Sequence, residues 1–209
     1  MFVRHCPRFS LLLAALVVAC GGCTEVPSDI GVHPHRVAEM RARRAAHQPL
    51  VAQWNDDPTA KGKGRILINL TTQQASFWRG DSLIGLSTIS SGRDEFETPP
   101  GKYRVVQKEA NHVSSQYGSY VTRSGKVVRR DVAAGRDRSP PGAHFVGAPM
   151  PYFLRFTGGY GMHAGVVPRY RASHGCVRLP PEMAKHFFEA AEVGTPVEVV
   201  APKPKVAEQ

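Results

Sequence analysis

The residues able to do covalent chemistry crowd into positions 161–179. The segment reads Gly161-Met162-His163-Ala164-Gly165, then a turn, then Ala172-Ser173-His174-Gly175-Cys176-Val177-Arg178-Leu179. An unperturbed thiol with a pKa near 8.5 is only about 3% ionised at pH 7, so a nucleophilic cysteine needs a base beside it. His163 and His174 put two imidazoles within thirteen residues of Cys176. A thiol within hydrogen-bond reach of an imidazole is an activated nucleophile. Gly175 lets the backbone approach a substrate closely. Backbone N–H groups around His174 to Cys176 can supply an oxyanion site for acyl transfer. Plainer roles compete: His174 bracing the turn, Ser173 capping it, Cys176 buried and inert. Zinc is a further option, since His163, His174 and Cys176 make a legal three-ligand set. That set lacks the paired Cys-x-x-Cys or His-x-x-x-His spacing of a strong metal motif, and no metal is expected.

These groups need a scaffold, and from Arg65 onward the pattern is one of short strands. Ile66 to Leu70, Gln74 to Trp78 and Leu83 to Ile89 are rich in aliphatic and β-favouring residues, with Gly80-Asp81 as a hairpin turn. Thr98-Pro99-Pro100-Gly101 is turn chemistry leading into a strand over Tyr103 to Gln107. Tyr152 to Thr157 alternates, with Tyr152, Leu154 and Phe156 on one face and Phe153, Arg155 and Thr157 on the other. Pro181 to Val193 reads as a helix, with Pro at its start, Gly194 after its end, and Met183, Phe187, Ala190 and Ala191 as its apolar stripe. Pro196 to Val200 reads as a last strand. Residues 111–151 are polar, rich in Gly and Pro and weakly periodic, which reads as a long loop hiding a hairpin near Ser124-Gly125. The sum is a mainly β domain with one or two helices over residues 63–201, followed by a tail, 202–209.

The whole chain has 209 residues, 42% hydrophobic and 21% charged, which allows one packed domain and excludes global disorder. Lys and Arg number 27 against 17 Asp and Glu, a net +10 that suits an anionic partner without choosing one. Four cysteines are too few for a disulfide scaffold. No apolar run reaches the length of a membrane-spanning helix. Residues 1–19 carry Arg4 and Arg8, no acid, and the apolar run Leu11 to Ala19, the layout of a secretory signal. That run ends Val17-Val18-Ala19-Cys20-Gly21-Gly22, which resembles a bacterial lipoprotein signal with Cys20 acylated; Cys23 is the second choice. By resemblance to Gram-negative lipoproteins, Gly21 rather than Asp behind that cysteine implies the outer over the inner membrane. Removing residues 1–19 leaves 25 basic against 17 acidic residues, a net +8. Residues 20–62 read as a tether, in which Val37 to Ala46 suits a short basic helix with no base-reading partners. Export also argues against nucleic acid. Cys176 is then the one cysteine of the folded part, a liability in an oxidising compartment unless it is used.

His163-Ala164-Gly165 followed by Ser173-His174-Gly175-Cys176-Val177-Arg178-Leu179 resembles the signature of the L,D-transpeptidase (YkuD-type) catalytic domain. Thr98-Pro99-Pro100-Gly101-Lys102-Tyr103 is similar to that family's Thr-Pro-x-Gly-x-Tyr element. The resemblance covers about residues 64–201. It implies a β-sandwich of mixed sheets, Cys176 as the nucleophile and His163 as the base that takes the thiol proton and later activates an acceptor amine. The Ala164 carbonyl would fix the His163 tautomer, and His174, Gly175 and Cys176 would line the oxyanion site, with Ser173 behind them. Arg178 would brace the loop or meet a substrate carboxylate. The 111–151 segment would form a flap or cleft wall, and Tyr152 would touch substrate. The implied reaction joins peptidoglycan tetrapeptide stems 3→3 through a cysteine thioester, or attaches a protein's lysine to murein, releasing D-Ala. No cofactor is implied. The place is the cell envelope on its periplasmic side, by way of a lipid anchor. A hydrolase on the same scaffold and a non-enzymatic murein-binding lipoprotein are the alternatives. The second is disfavoured because Cys176 and His163 are both present.

Overall fold

Ile66 and Ile68 lie two residues apart in a β-strand, and both side chains are buried. The same spacing buries Ala75 with Phe77, and Val197 with Val199, as a sheet with one apolar face requires. The computed structural model describes residues 50–201. The signal, Cys20, Cys23, the Val37 to Ala46 helix and the 202–209 tail lie outside the described residues.

The first sheet is built from β1 (Ala52–Trp54), β2 (Gly64–Asn69), β3 (Gln74–Arg79), β4 (Ser82–Thr88), β5 (Gly101–Arg104) and β11 (Pro196–Val200). Its order is β1-β4-β3-β2-β11-β5, with β11 parallel to β2 and antiparallel to β5. The second sheet holds β6 (Gln107–Thr122), β7 (Val127–Ala133), β8 (Ala143–Thr157), β9 (Tyr160–Ala164) and β10 (Val177–Leu179), ordered β10-β9-β8-β6-β7. Helix α1 (Pro181–Ala190) contacts β8, β9 and β10 of one sheet and β1 and β4 of the other. Its Met183, Ala184 and Phe187 join Leu154, Phe156, Met162, Val177 and Leu179 in one core with the first sheet. Phe187 meets Phe77 edge-on at 5.7 Å between ring centroids, which locks the helix to β3.

The expected strands over 66–70, 74–78, 83–89 and 196–200 are present, and Gly80 turns the β3–β4 hairpin at φ 56. Three expectations need correcting. The helix ends at Ala190, because Ala191 is already extended at φ −85, ψ 145; Gly194 serves instead the turn into β11. The segment 111–151 is strand rather than loop: β6 runs sixteen residues and β8 fifteen, closed through β7 by a turn at Gly125. Its polar composition reflects exposure on both faces, since only Val132 of β7 is fully buried. The folded part also begins before residue 63, because β1 pairs with β4 and sets Trp54 against Phe77 and Phe187.

Candidate active site

β9 and β10 are parallel neighbours, with Met162 opposite Val177 and His163 opposite Arg178. That pairing brings two segments separated by a turn to one sheet edge, and sets Cys176, the residue before β10, beside β9. The thiol donates to the Gly159 carbonyl at 3.6 Å. Its burial pushes the thiol pKa up from 9.0, against smaller pulls from the Gly161 backbone, Arg155 and Arg178. Burial thus disfavours the Cys176 thiolate.

His163 is 7% exposed, and its Nδ1 lies 2.8 Å from the Ala164 carbonyl. A carbonyl can only accept, so Nδ1 carries the proton and Nε2 the lone pair. Burial lowers the imidazole pKa to about 4, with Arg178 and His112 acting in the same direction and the Ala164 bond opposing them. The other ring nitrogen, Nε2, has no hydrogen-bond partner among the described residues. For both groups burial disfavours the charged form.

The turn that carries Cys176 is held at each of its peptides. The Ser173 hydroxyl donates to the Cys176 carbonyl and accepts the Gly175 N–H at 3.0 Å. Thr98, fully buried, accepts the Gly92 N–H at 3.0 Å and donates to the Gly175 carbonyl at 2.6 Å. Gly175 sits at φ 114 with Tyr160 so close that a Cβ would lie 2.6 Å from its ring. Only glycine fits both conditions. His174 Nε2 receives Arg93 Nη2 at 2.7 Å, which places its proton on Nδ1. Tyr117 stacks on the His174 ring at 4.4 Å and Phe96 meets it edge-on at 4.8 Å. Burial, then Arg93, holds the His174 pKa below 6.5.

A thiol, an imidazole with an unprotonated nitrogen, and a braced turn with outward N–H groups can carry out acyl transfer. The family model for the L,D-transpeptidase catalytic domain, YkuD, matches residues 63–199. The chain belongs to this family. An L,D-transpeptidase from Mycobacterium smegmatis superposes with a TM-score of 0.52 at 20% identity, over 66% of this chain and 59% of that one. An LD transpeptidase in complex with imipenem gives 0.50 at 21% identity, over 66% and 58%. The chain thus spans less than two thirds of the length of these relatives, and the likeness is one of fold. No curated protein matches the chain.

Within this L,D-transpeptidase domain several expected residues take other places. The Gly175 N–H donates to Ser173 Oγ. The N–H groups of His174 and Cys176 have no acceptor among the described residues. Ser173 is buried and bonded within the turn, which makes it a brace rather than a substrate contact. Arg178 exchanges backbone hydrogen bonds with Ser90 at 3.0 and 2.9 Å, and its stem lies over Gly165. Its guanidinium forms no ion pair among the described residues. Tyr152 packs against the core beside Phe188 of α1, with ring centroids 5.8 Å apart. Among the described residues no group of three His, Cys, Asp or Glu side chains converges as a metal would need.

Sequence reasoning missed Arg93, Phe96 and Tyr117, which hold His174. From the 111–151 segment, Tyr117 reaches the His174 ring. Between Val113 and Gly118 the β6–β8 register slips, and Ser114 Oγ accepts the N–H groups of Gln116 and Tyr117. This bulge carries Tyr117 onto His174. A bulge in a polar strand leaves no periodic signal, so nothing in the sequence pointed to it.

Proposed function

We propose that this domain is a cysteine-dependent peptidoglycan L,D-transpeptidase, working on tetrapeptide stems at the cell envelope. The observation that carries this reading is the tautomer of His163: Nδ1–H is tied to the Ala164 carbonyl, leaving Nε2 open at the sheet edge that also bears Cys176. Nε2 takes the proton from Sγ as the sulfur attacks the carbonyl of the diaminopimelate–D-Ala bond. The oxyanion is received by the N–H groups of Cys176 and His174. Collapse breaks the C–N bond, the His163 proton goes to the departing D-Ala amine, and a thioester remains. An acceptor amine, from another stem or a protein lysine, then attacks the thioester and frees Cys176 as the thiol. Starting from a neutral pair suits a base that burial keeps unprotonated at neutral pH. Acylation of Cys20 would hold the domain at the membrane, on the outer membrane by its Gly21 neighbour.

The test is mass spectrometry of the full chain incubated with disaccharide-tetrapeptide, alongside Cys176→Ala. Dimeric muropeptide with released D-Ala is expected from the unsubstituted chain and neither from the variant. Tripeptide alone would turn the reading to a carboxypeptidase. Cleavage of pre-linked murein without any dimer would make the domain a hydrolase. Turnover by Cys176→Ala near the unsubstituted level would remove the thiol from the mechanism. Imipenem should add its mass to the unsubstituted chain and not to Cys176→Ala.

A further inference from the structure

Aminolysis of a thioester by an ammonium group releases more protons than the enzyme needs. R–NH3⁺ and R′CO–S–enzyme give R′CO–NH–R, HS–enzyme and one H⁺. One proton returns to the sulfur, and the other has to reach solvent. His163 suits the first of these transfers only. A single imidazole holds one added proton, and this one is buried.

A second imidazole lies against the same phenyl ring. His112 stacks on Phe153 with ring centroids 4.3 Å apart and planes 12° from parallel, while Phe153 and His163 are 6.4 Å apart. His112 Nδ1 lies 2.7 Å from Glu109 Oε2. The ionised carboxylate can only accept, so Nδ1 carries the proton of the neutral ring and Nε2 the lone pair, as in His163. Nε2 has no protein partner, and no fully buried side-chain N or O among the described residues is left without one, so Nε2 is open. The His112 side chain is 18% exposed and that of Glu109 42%, against 7% for His163, so the pair has the wider route to water. A carboxylate at hydrogen-bond distance also stabilises the imidazolium once it forms.

We infer that Glu109 and His112 are the proton exit for the acceptor half of the reaction. His112 Nε2 takes the proton that the acceptor ammonium sheds before attack and passes it to solvent. His163 Nε2 takes the N–H proton lost as the amide forms and returns it to Cys176 Sγ. The inference rests on the transpeptidase reading and assigns a residue to its second half. The first half, acylation, has no ammonium to deprotonate and does not need the pair. Attack by water on the thioester does not need it either.

Two assays on the full chain separate the halves, using His112→Gln and Glu109→Gln. Intact mass after mixing with imipenem reads acylation alone. Disaccharide-tetrapeptide turnover reads the ratio of dimer to tripeptide. Both variants should still be acylated by imipenem, with any loss of rate far smaller than the loss of dimer, which also reports an intact fold. Dimer formation should fall about a hundredfold for His112→Gln, the low end of a general base's contribution. Tripeptide from hydrolysis should persist, so the ratio of dimer to tripeptide drops. An unchanged ratio, or acylation and dimer formation falling together, overturns the inference. An unsubstituted chain that imipenem leaves untouched and that forms no dimer overturns the transpeptidase reading itself, and this inference with it.

Discussion

His163 is the residue at which burial and chemistry meet. In the unfolded chain its ring takes a proton near pH 6.5, in the folded protein only near about 4. Between those values the unfolded state binds more protons, so the stability present above pH 6.5 is lost as the pH falls through this window. The shift corresponds to about 3 kcal/mol, lost by about pH 4 and level below it. Urea denaturation at stepped pH should trace that slope. In His163→Gln only the shallower part should remain, including that of His174, whose pKa is also lowered. Cys176 shifts the other way, since burial disfavours its thiolate. Alkylation by iodoacetamide should therefore be slow at neutral pH and climb only above pH 9. A fast reaction levelling off below pH 7 would mean a thiolate–imidazolium pair at rest instead. Cys176 and His163 were legible in the sequence because acyl transfer restricts which side chains can do the work. His112, Glu109 and Arg93 were not, because they reach the site through tertiary pairing from a strand and a loop that carry no catalytic spacing of their own.

At the level of elements, the site depends on how a loop and a strand press on the turn 173–176. Thr98→Val would leave the Gly92 N–H and the Gly175 carbonyl without their shared hydroxyl at a fully buried position. The expected loss is about 2 to 4 kcal/mol with slower acylation, and Thr98→Ser should restore most of both. The β6 bulge makes a parallel demand. A Cβ on Gly118 would sit 2.1 Å from the Val146 carbonyl oxygen, and one on Gly147 would sit 2.1 Å from that of Ser114. Gly118→Ala and Gly147→Ala should each push β6 off β8, destabilising by roughly 1 to 3 kcal/mol. Tyr117 would move with the bulge, so both variants should also slow acylation by imipenem. The short strands β2, β3, β4 and β11 could be read from sequence, since one buried face imposes alternation on Ile66, Ile68, Ala75, Phe77, Val197 and Val199. The β6–β8 sheet extension could not, because Val113, Val127, Val128 and Val146 are all solvent-exposed and their spacing is free to drift.

Across the whole molecule, two sheets and one helix share a single core that Trp54 helps to close. Its ring stacks on His186 at 4.9 Å and lies 5.5 Å from Phe77 and 5.7 Å from Phe187. Gly85 leaves the space it occupies, since a Cβ there would come within 2.4 Å of the indole. Trp54→Ala should cost about 3 kcal/mol, the low end for losing a large aromatic from a core. A chain starting at residue 63, where the family match begins, should melt correspondingly lower than one starting at residue 50. The edge strand β1 also fixes how far the catalytic cleft can travel. If the chain is held to a membrane at Cys20, its leash ends where Ala52 pairs with Ser87, not at residue 63. Fully extended, positions 20 to 52 span at most roughly 110 Å. Under the proposed anchoring at Cys20, three paired residues at a sheet edge would set the radius within which this thiol could meet a stem peptide.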